Sequence, residues 1–229
     1  MEACAPVPSS LESSLRDPLM VLDEVFGEGG LPLPESLFGS HFRWLDAPCG
    51  PLAFLDLETC GLADDPIFLA GILQPLGNGL RLRRLFARDP SGEEALLART
   101  AETLGPGAIW VTFNGRSFDG PRLRRRSARL GLEFPAPAEH RDLLLAVRRR
   151  WRGELPDCRL QTVERRLLGI ERDRRDVPGR EVPERYRDWV RTGDPRWITP
   201  VLEHNRRDVA AMAVLHRRLV EMGEYPVGI

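Results

Sequence analysis

The sequence predicts an α/β fold in which a mixed central sheet is flanked by helices. Three strand-like runs, at residues 52–58, 67–73 and 80–86, follow one another with connections that are short enough to indicate an antiparallel meander. A helical segment and the apolar run Ala108–Phe113 come next, and the second half of the chain is mostly helical. A meander, a helical crossover and a buried strand in this order are typical of a sheet with both antiparallel and parallel strands.

The length and composition predict one globular domain with elaborations. The chain has 229 residues, of which 42% are hydrophobic and 29% are charged. We expect residues 1–45 to form a partly disordered N-terminal extension, with one short helix near residues 21–26. Residues 46–222 are predicted to form the domain itself, and residues 223–229 a C-terminal tail.

The helices are predicted from apolar periodicity and from capping residues. The first begins after Pro90 and Ser91 and ends near Gly105, and the second follows the turn at residues 114–121, where Ser117 or Asp119 can act as the cap. The remaining predicted helices lie at residues 140–152, 160–168, 181–190 and 197–222.

Neither a targeting signal nor a long apolar segment is visible, so we expect a cytoplasmic protein with no membrane partner. The four cysteines show no C-x-x-C motif and no Cys/His cluster, so neither a zinc site nor a disulfide framework is indicated.

Charge is distributed unevenly along the chain, although the net charge is only −1. Residues 1–115 contain 7 arginines and 16 acidic residues, whereas residues 116–175 contain 17 arginines and 9 acidic residues. An acidic segment next to an arginine-rich one suits an enzyme that acts on a polyanion. The arginines are equally compatible with solvated helix faces.

Two carboxylates interrupt the apolar run of the first predicted strand. Asp56 and Glu58 are two residues apart, so they lie on one face of a strand while Leu55 and Leu57 lie on the other. Neighbouring buried carboxylates raise each other's pKa, and a divalent cation is the usual way to keep both of them ionised. An edge strand whose acids face water is the alternative interpretation.

Further acidic residues follow the buried strand and lie in the last helix. Asp119 comes just after the strand, and His204 and Asp208 lie four positions apart on one helix face. Taken individually, Asp119 is compatible with a helix cap and His204 with a charged surface. Asp142 is compatible with a cap or a supporting acid, and we do not include it among the ligands.

The three acidic segments, taken in order, resemble the motifs of a known enzyme superfamily. D-x-E-T at 56–59, N-x-x-x-F-D-x-P at 114–121 and H-x-x-x-D at 204–208 are similar to the exonuclease motifs of the DEDD 3′-to-5′ exonuclease superfamily, which has a ribonuclease-H-like fold. The chain most resembles its YprB-like group and is more distantly similar to the proofreading domain of family B DNA polymerases. This likeness extends over residues 20–220 and includes His140–Leu144, Leu155–Glu164, Val177–Gly179 and Tyr186.

The resemblance implies a metal site with two divalent cations, Mg²⁺ or Mn²⁺, held by Asp56, Glu58, Asp119 and Asp208. It also implies that His204 activates or positions the attacking water. The superfamily usually has His and Asp separated by four residues, or Tyr and Asp by three, whereas three residues separate His204 from Asp208. The resemblance further places four residues at the substrate: Thr59, Asn114, Phe118 and Arg159.

These observations predict a metal-dependent nuclease, and the resemblance makes it a 3′-to-5′ exonuclease acting on a single-stranded DNA or RNA end. Two alternatives remain, namely an endonuclease with the same metal site and a non-catalytic nucleic-acid-binding module of the same fold. The sequence indicates neither the choice between DNA and RNA nor the oligomeric state.

Overall fold

A central six-stranded sheet organises the fold. The computed structural model of the chain describes residues 17–27, 30–38, 51–61, 64–172 and 176–226. Within them the strands are β1 (Leu19–Phe26), β2 (Leu52–Thr59), β3 (Ile67–Leu76), β4 (Gly79–Ala87), β5 (Ile109–Thr112) and β6 (Glu139–Asp142). Their order in the sheet is β1-β4-β3-β2-β5-β6. The pairs β1/β4, β4/β3 and β3/β2 are antiparallel, whereas β2/β5 and β5/β6 are parallel. The predicted mixed sheet is confirmed.

The helices cover both faces of this sheet. They are α1 (Glu35–Phe38), α2 (Glu93–Leu104), α3 (Asp119–Arg129), α4 (Leu143–Trp151), α5 (Leu160–Val163), α6 (Val182–Thr192) and α7 (Pro195–Glu221). A π-helical turn at Glu164–Leu168 continues α5, and short 3₁₀ turns precede α2 and α6. None of the helices in the described ranges has both the length and the apolar run that crossing a membrane requires.

Two of the predicted elements are wrong. Residues 21–26 form part of β1 instead of a helix, and their pairing with β4 extends the sheet into the predicted N-terminal extension. Residues 139–142 form β6, so the helix predicted from residue 140 begins at Leu143. Asp142 caps this helix by accepting a hydrogen bond from the backbone N of Leu144 at 3.1 Å. In both cases, pairing with a neighbouring strand determined the conformation.

Each face of the sheet packs against its own apolar core. Phe54 of β2 lies in the first core with α4 and the later part of α7, whereas Leu55 and Leu57 lie in the second core with α2, α3 and α6. The predicted alternation along β2 is therefore confirmed. Helix α7 contributes Ile198 to the second core and Met212 to the first, so it packs against both cores.

A buried ion pair joins the second core to the start of β3. Glu93 accepts hydrogen bonds through Oε1 from the Nε of Arg126 and from the backbone N of Ile67, both at 2.8 Å. Arg126 also donates from Nη1 to the backbone O of Asp64 at 2.6 Å. Because both charged side chains are buried, this pair fixes α2 and α3 relative to the strand.

Candidate active site

Strand β2 presents Asp56 to helix α7, as its alternation predicts. Asn205 of α7 donates from Nδ2 to Asp56 Oδ2 at 2.8 Å and to the backbone O of Asp56 at 3.2 Å. The next acid, Glu58, precedes a β-bulge, because Glu58 pairs with Leu69 whereas Thr59 pairs with Ile67. A bulge changes the direction of a strand at its end, which is a frequent feature next to active sites.

A glycine on the neighbouring strand makes the contact between Asn205 and Asp56 possible. Gly71 of β3 is the register partner of Asp56. A Cβ atom placed on Gly71 would lie only 2.1 Å from Asn205 Oδ1. The side chain of Asn205 is fully buried, and its amide occupies the space that a Cβ atom at position 71 would need.

Asp119 reaches β2 from the start of α3. Its Oδ1 accepts a hydrogen bond from the backbone N of Leu57 at 3.2 Å, so the carboxylate lies beside the peptide group between Asp56 and Leu57. The prediction that Ser117 or Asp119 caps α3 is wrong, because Phe118 occupies the N-cap position and no side chain caps this helix. The interpretation of Asp119 as a simple cap therefore fails.

Helix α7 brings His204 and Asp208 to the same place. The two side chains are one turn apart, and His204 Nε2 lies 3.8 Å from Asp208 Oδ2. The other carboxylate oxygen of Asp208, Oδ1, accepts a hydrogen bond from Arg172 Nη2 at 2.6 Å. His204 is 7% exposed, so it is not the charged-surface residue of the alternative interpretation.

Acids from three elements of the fold, β2, α3 and α7, influence one another's charge. Burial raises the pKa of Asp56 well above its usual value, and the charges of Asp208, Glu58 and Asp119 raise it further. Burial also raises the pKa of Glu58, with contributions from Asp208 and Asp119. For Asp119, burial raises the pKa to about 7 although the hydrogen bond from Leu57 favours the charged form. Such a cluster is fully ionised only when positive charge is added.

The chemistry of these donors fits a hard divalent cation, but the carboxylates are not drawn together around one point. No three His, Cys, Asp or Glu side chains in the described ranges are grouped closely enough to hold a metal ion. Two of the carboxylates are bonded to nitrogen donors, Asp56 to Asn205 and Asp208 to Arg172. The oxygen-only donor set is the one that Mg²⁺ and Mn²⁺ prefer. The predicted metal ligands therefore stay a prediction.

Sequence reasoning missed a cluster beside His204 that consists of Glu164, Arg172 and Asp176. Arg172 donates to Glu164 through Nε and Nη2 and to Asp176 Oδ2 through Nη1, the last at 2.9 Å. Asp176 Oδ1 lies 3.0 Å from His204 Nδ1. The signal available in the sequence was the family-like segments Leu155–Glu164 and Val177–Gly179, which contain Glu164 and border Asp176. Neither segment reaches Arg172.

Burial and charge act in opposite directions on His204. Burial lowers the pKa of the imidazole, whereas the neighbouring carboxylates Asp208 and Asp176 raise it, and the net pKa is above the usual value for histidine. The charge of Arg172 opposes this increase.

Two of the predicted substrate residues line a cavity next to the acids. Thr59 and Phe118 border a space of about 400 Å³. Glu58 also lines it, so one of the candidate metal ligands faces the same space. The guanidinium of Arg122 lies 4.0 Å from the centroid of the Phe118 ring and holds that ring by a cation–π contact. The other lining residues are Leu57, Gly61, Gly179, Arg180, Val182 and Pro183.

The other two predicted substrate residues do not line this cavity. Asn114 has a positive φ of 71° in the turn after β5, and its backbone N donates to Asp142 Oδ1 at 2.8 Å. Arg159 is exposed and precedes α5, where its backbone N donates to Asp157 Oδ1 at 3.0 Å. Both contacts are made by backbone groups within the protein, so a role in substrate binding stays a prediction for these two residues.

Comparison with protein families identifies the class of protein. A family model described as the RNase_H superfamily matches residues 53–220, which is most of the chain. The chain therefore belongs to the ribonuclease H superfamily, in agreement with its mixed sheet and flanking helices.

A relative from Bacillus subtilis (strain 168), described as the uncharacterized protein YprB, is 32% identical over 170 residues. The match covers 72% of this chain and 41% of YprB, so the chain spans less than half of that relative's length. The predicted resemblance to the YprB-like group is confirmed.

A solved structure shares this fold. The family B DNA polymerase of the hyperthermophilic archaeon Pyrobaculum calidifontis aligns with a TM-score of 0.58 and 16% identity, over 74% of this chain and 24% of the polymerase. Exonuclease I of E. coli in complex with a dT13 oligonucleotide aligns with a TM-score of 0.48 and 16% identity, over 76% of this chain and 42% of the enzyme.

Proposed function

We propose that the chain is a metal-dependent nuclease that hydrolyses phosphodiester bonds, and specifically a 3′-to-5′ exonuclease acting on single-stranded DNA or RNA ends. The observation that supports this most is that the charges of Asp119 and Asp208, from two helices, act on both acids of β2, Asp56 and Glu58. Each of the β2 acids has its pKa raised by burial and by the charge of Asp208. A buried group of like charges destabilises the fold, and such groups with shifted pKa values are frequent at catalytic sites.

In this proposal the four carboxylates hold two Mg²⁺ or Mn²⁺ ions. Bound divalent ions supply an activated water and stabilise the leaving oxygen of a phosphodiester. His204 accepts the proton of the water through Nε2, the nitrogen that faces Asp208. The cavity beside Glu58, Thr59 and Phe118 receives the terminal nucleotide, because its volume of about 400 Å³ lies within the range of small-ligand sites.

The arginine-rich segment at residues 116–175 supplies contacts to the nucleic-acid backbone. Many of its arginines are exposed on α3 and α4, including Arg124, Arg125 and Arg148. Binding through arginine–phosphate contacts releases counterions, so the affinity for an oligonucleotide falls steeply as the salt concentration rises. A fluorescence-anisotropy titration at several salt concentrations measures this slope.

The first test is substitution of the candidate ligands. We expect Asp56→Asn and Asp208→Asn to leave the fold intact and to eliminate hydrolysis of an end-labelled oligonucleotide in the presence of Mn²⁺. His204→Ala should lower the rate roughly 10²- to 10⁴-fold because general-base catalysis is lost. The matched control is Asp188→Asn on α6, whose carboxylate accepts a hydrogen bond from the nearby Arg191. Full activity of Asp56→Asn would refute the assignment.

The direction and substrate need a second test. A panel of end-labelled single- and double-stranded DNA and RNA, incubated with Mg²⁺, Mn²⁺ or a chelator, identifies the substrate and the metal requirement. An exonuclease of the proposed direction leaves circular and 3′-blocked substrates intact. Cleavage of the circular substrate would instead support an endonuclease with the same site.

A non-catalytic nucleic-acid-binding module is the second candidate, and one observation favours it. Arg172 and Asn205 already bond to Asp208 and Asp56, so part of the charge and bonding capacity of the acids is used within the protein. Titration with Mn²⁺ distinguishes the two candidates. Saturable binding that Asp208→Asn weakens supports the nuclease, whereas the absence of binding together with retained oligonucleotide affinity supports the module.

A further inference from the structure

The contacts of His204 define which of its ring nitrogens carries the proton. Its Nδ1 lies 3.0 Å from Asp176 Oδ1 and 3.4 Å from Arg172 Nη1. A guanidinium can only donate, so an Nδ1 that accepted from Arg172 would have no hydrogen for Asp176. The shorter distance and the carboxylate acceptor favour the bond to Asp176, in which Nδ1 is the donor.

Asp176 is itself held in place and charged. Arg172 donates to Asp176 Oδ2 at 2.9 Å and is anchored on its other side by Glu164. All three side chains are at least 90% buried. Hydrogen bonds from His204 and Arg172 lower the pKa of Asp176 to about 2 although burial opposes them. Asp176 is therefore an ionised acceptor in a fixed orientation.

We infer that Asp176 is a positioning residue that keeps the proton of His204 on Nδ1 and directs the basic Nε2 atom toward Asp208 and the attacking water. Glu164 and Arg172 fix the orientation of Asp176 through the bonds described above. This inference rests on the proposed function, because it assigns a role in the same site. Neutral imidazole in water favours the proton on Nε2, so the opposite tautomer at His204 is a feature that the protein must impose.

Substitution of Asp176 by asparagine should reverse the tautomer. Arg172 requires an acceptor, so it attracts the single amide oxygen of the new side chain and leaves the amide NH₂ facing His204. The amide then donates to Nδ1, the proton moves to Nε2, and the base has no lone pair toward the water. Loss of the correct tautomer through an Asp→Asn change is a known way to inactivate a catalytic histidine.

Nitrogen NMR of the chain labelled with ¹⁵N-histidine tests the inference without any nuclease assay. The chain has only four histidines, and His204→Gln identifies the signal of interest. In the metal-free protein, at a pH high enough for the ¹⁵N shifts to show a neutral ring, we expect the proton on Nδ1 in the wild type and on Nε2 in Asp176→Asn. The control Asp188→Asn should keep the wild-type tautomer. A wild-type ring with its proton on Nε2 would overturn the inference even if the substituted protein failed to fold.

Kinetics give the second readout. With a single-stranded oligonucleotide and Mn²⁺, Asp176→Asn should lower kcat by about 10²- to 10⁴-fold and leave KM nearly unchanged, because the base and not the binding cavity is altered. Asp176→Glu, which keeps an ionised acceptor, should recover part of this loss. Equal losses in both variants would contradict the role of charge. If the wild type proves inactive, the proposed function fails while the NMR result still decides the tautomer.

Discussion

Replacing Gly71 by alanine should break the contact that orients Asp56. Gly71 lies opposite Asp56 in the sheet, and the amide of Asn205 occupies the space where a side chain would begin. An added Cβ would lie 2.1 Å from Oδ1, 2.8 Å from Cγ and 3.1 Å from Nδ2 of Asn205, whereas ordinary van der Waals contact starts at 3.4 Å. Because Asn205 is fully buried on α7, its amide can move away only by abandoning Asp56.

The size of the effect follows from these contacts. The amide of Asn205 donates two hydrogen bonds to Asp56, and their loss costs about 0.5–1.5 kcal/mol each. Overpacking of a close contact costs about 1–3 kcal/mol more. Alanine restricts the unfolded chain more than glycine does, which returns about 0.5 kcal/mol. We therefore expect Gly71→Ala to lower the free energy of unfolding by about 2–5 kcal/mol. For a chain of this size that corresponds to a decrease in Tm of roughly 5–15 °C.

A double-mutant cycle measured by urea denaturation in the presence of chelator isolates the contact. Asn205→Ala removes the amide, so adding Gly71→Ala in that background should cost less than about 1 kcal/mol. The two substitutions should then be coupled by at least about 1 kcal/mol. If Gly71→Ala costs the same in both backgrounds, the glycine is required for another reason and the packing argument is wrong.

Three further predictions concern buried charge. Glu93→Gln should lower the free energy of unfolding by about 3 kcal/mol, because it leaves the guanidinium of Arg126 buried without its counterion. The pKa of His216 is lowered from 6.5 to about 3 by burial and by a neighbouring arginine, so below pH 6.5 the unfolded chain binds a proton that the folded chain does not. The free energy of unfolding should therefore decrease as the pH drops below 6.5, by about 2 kcal/mol at pH 5. His216→Gln should remove this pH dependence. The pKa of Asp119 is raised from 3.8 to about 7, so the folded chain binds this proton more tightly than the unfolded chain does, and the resulting stabilisation is lost as the pH rises through 7. Without divalent cations, Asp119→Asn should therefore be more stable than the wild type at pH 8, by at most about 4 kcal/mol.

Each of these predictions has a matched comparison in urea denaturation. Glu94→Gln changes the exposed neighbour of Glu93 and should cost less than about 0.5 kcal/mol, so equal effects at the two positions would remove the ion-pair argument. For His216, an unchanged difference between variant and wild type from pH 7 to pH 5 would contradict the shifted pKa. For Asp119, a variant that is less stable than the wild type at pH 8 would show that its carboxylate is already balanced by charge within the protein.

The parts of the fold that could be predicted from the sequence are those with a strong local pattern. Alternation along β2 places Phe54 in one core and Leu55 in the other, and this pattern alone determines which face receives Asp56. The same pattern sets the register of the meander.

The elements that could not be predicted depend on partners distant in the sequence. Strand β1 has a weak apolar pattern, and its pairing with β4 is reinforced by ion pairs from Asp23 to Arg83 and from Glu24 to Arg84. Strand β6 is only four residues long and pairs with the buried strand β5. A short sequence window around β1 or β6 does not include the strand with which it pairs. Local periodicity therefore could not distinguish these two strands from helical or irregular segments.

The same reasoning explains why the acids of the site could be predicted and their partners could not. Asp56 and Glu58 lie on a strand and Asp208 on a helix, and the repeat of each element indicates the face on which its acids lie. Arg172 and Asp176 lie outside the helices and strands, so no repeat predicts their positions. Arg172 nevertheless bonds to Asp208 and to Asp176, the residue that bonds to His204. A guanidinium in that position neutralises part of the acidic cluster in the absence of cations. If Asp208 is the metal ligand that we propose, Mn²⁺ must compete with Arg172 for it. Arg172→Gln should then increase the affinity for Mn²⁺, measured by calorimetric titration, even if it lowers turnover.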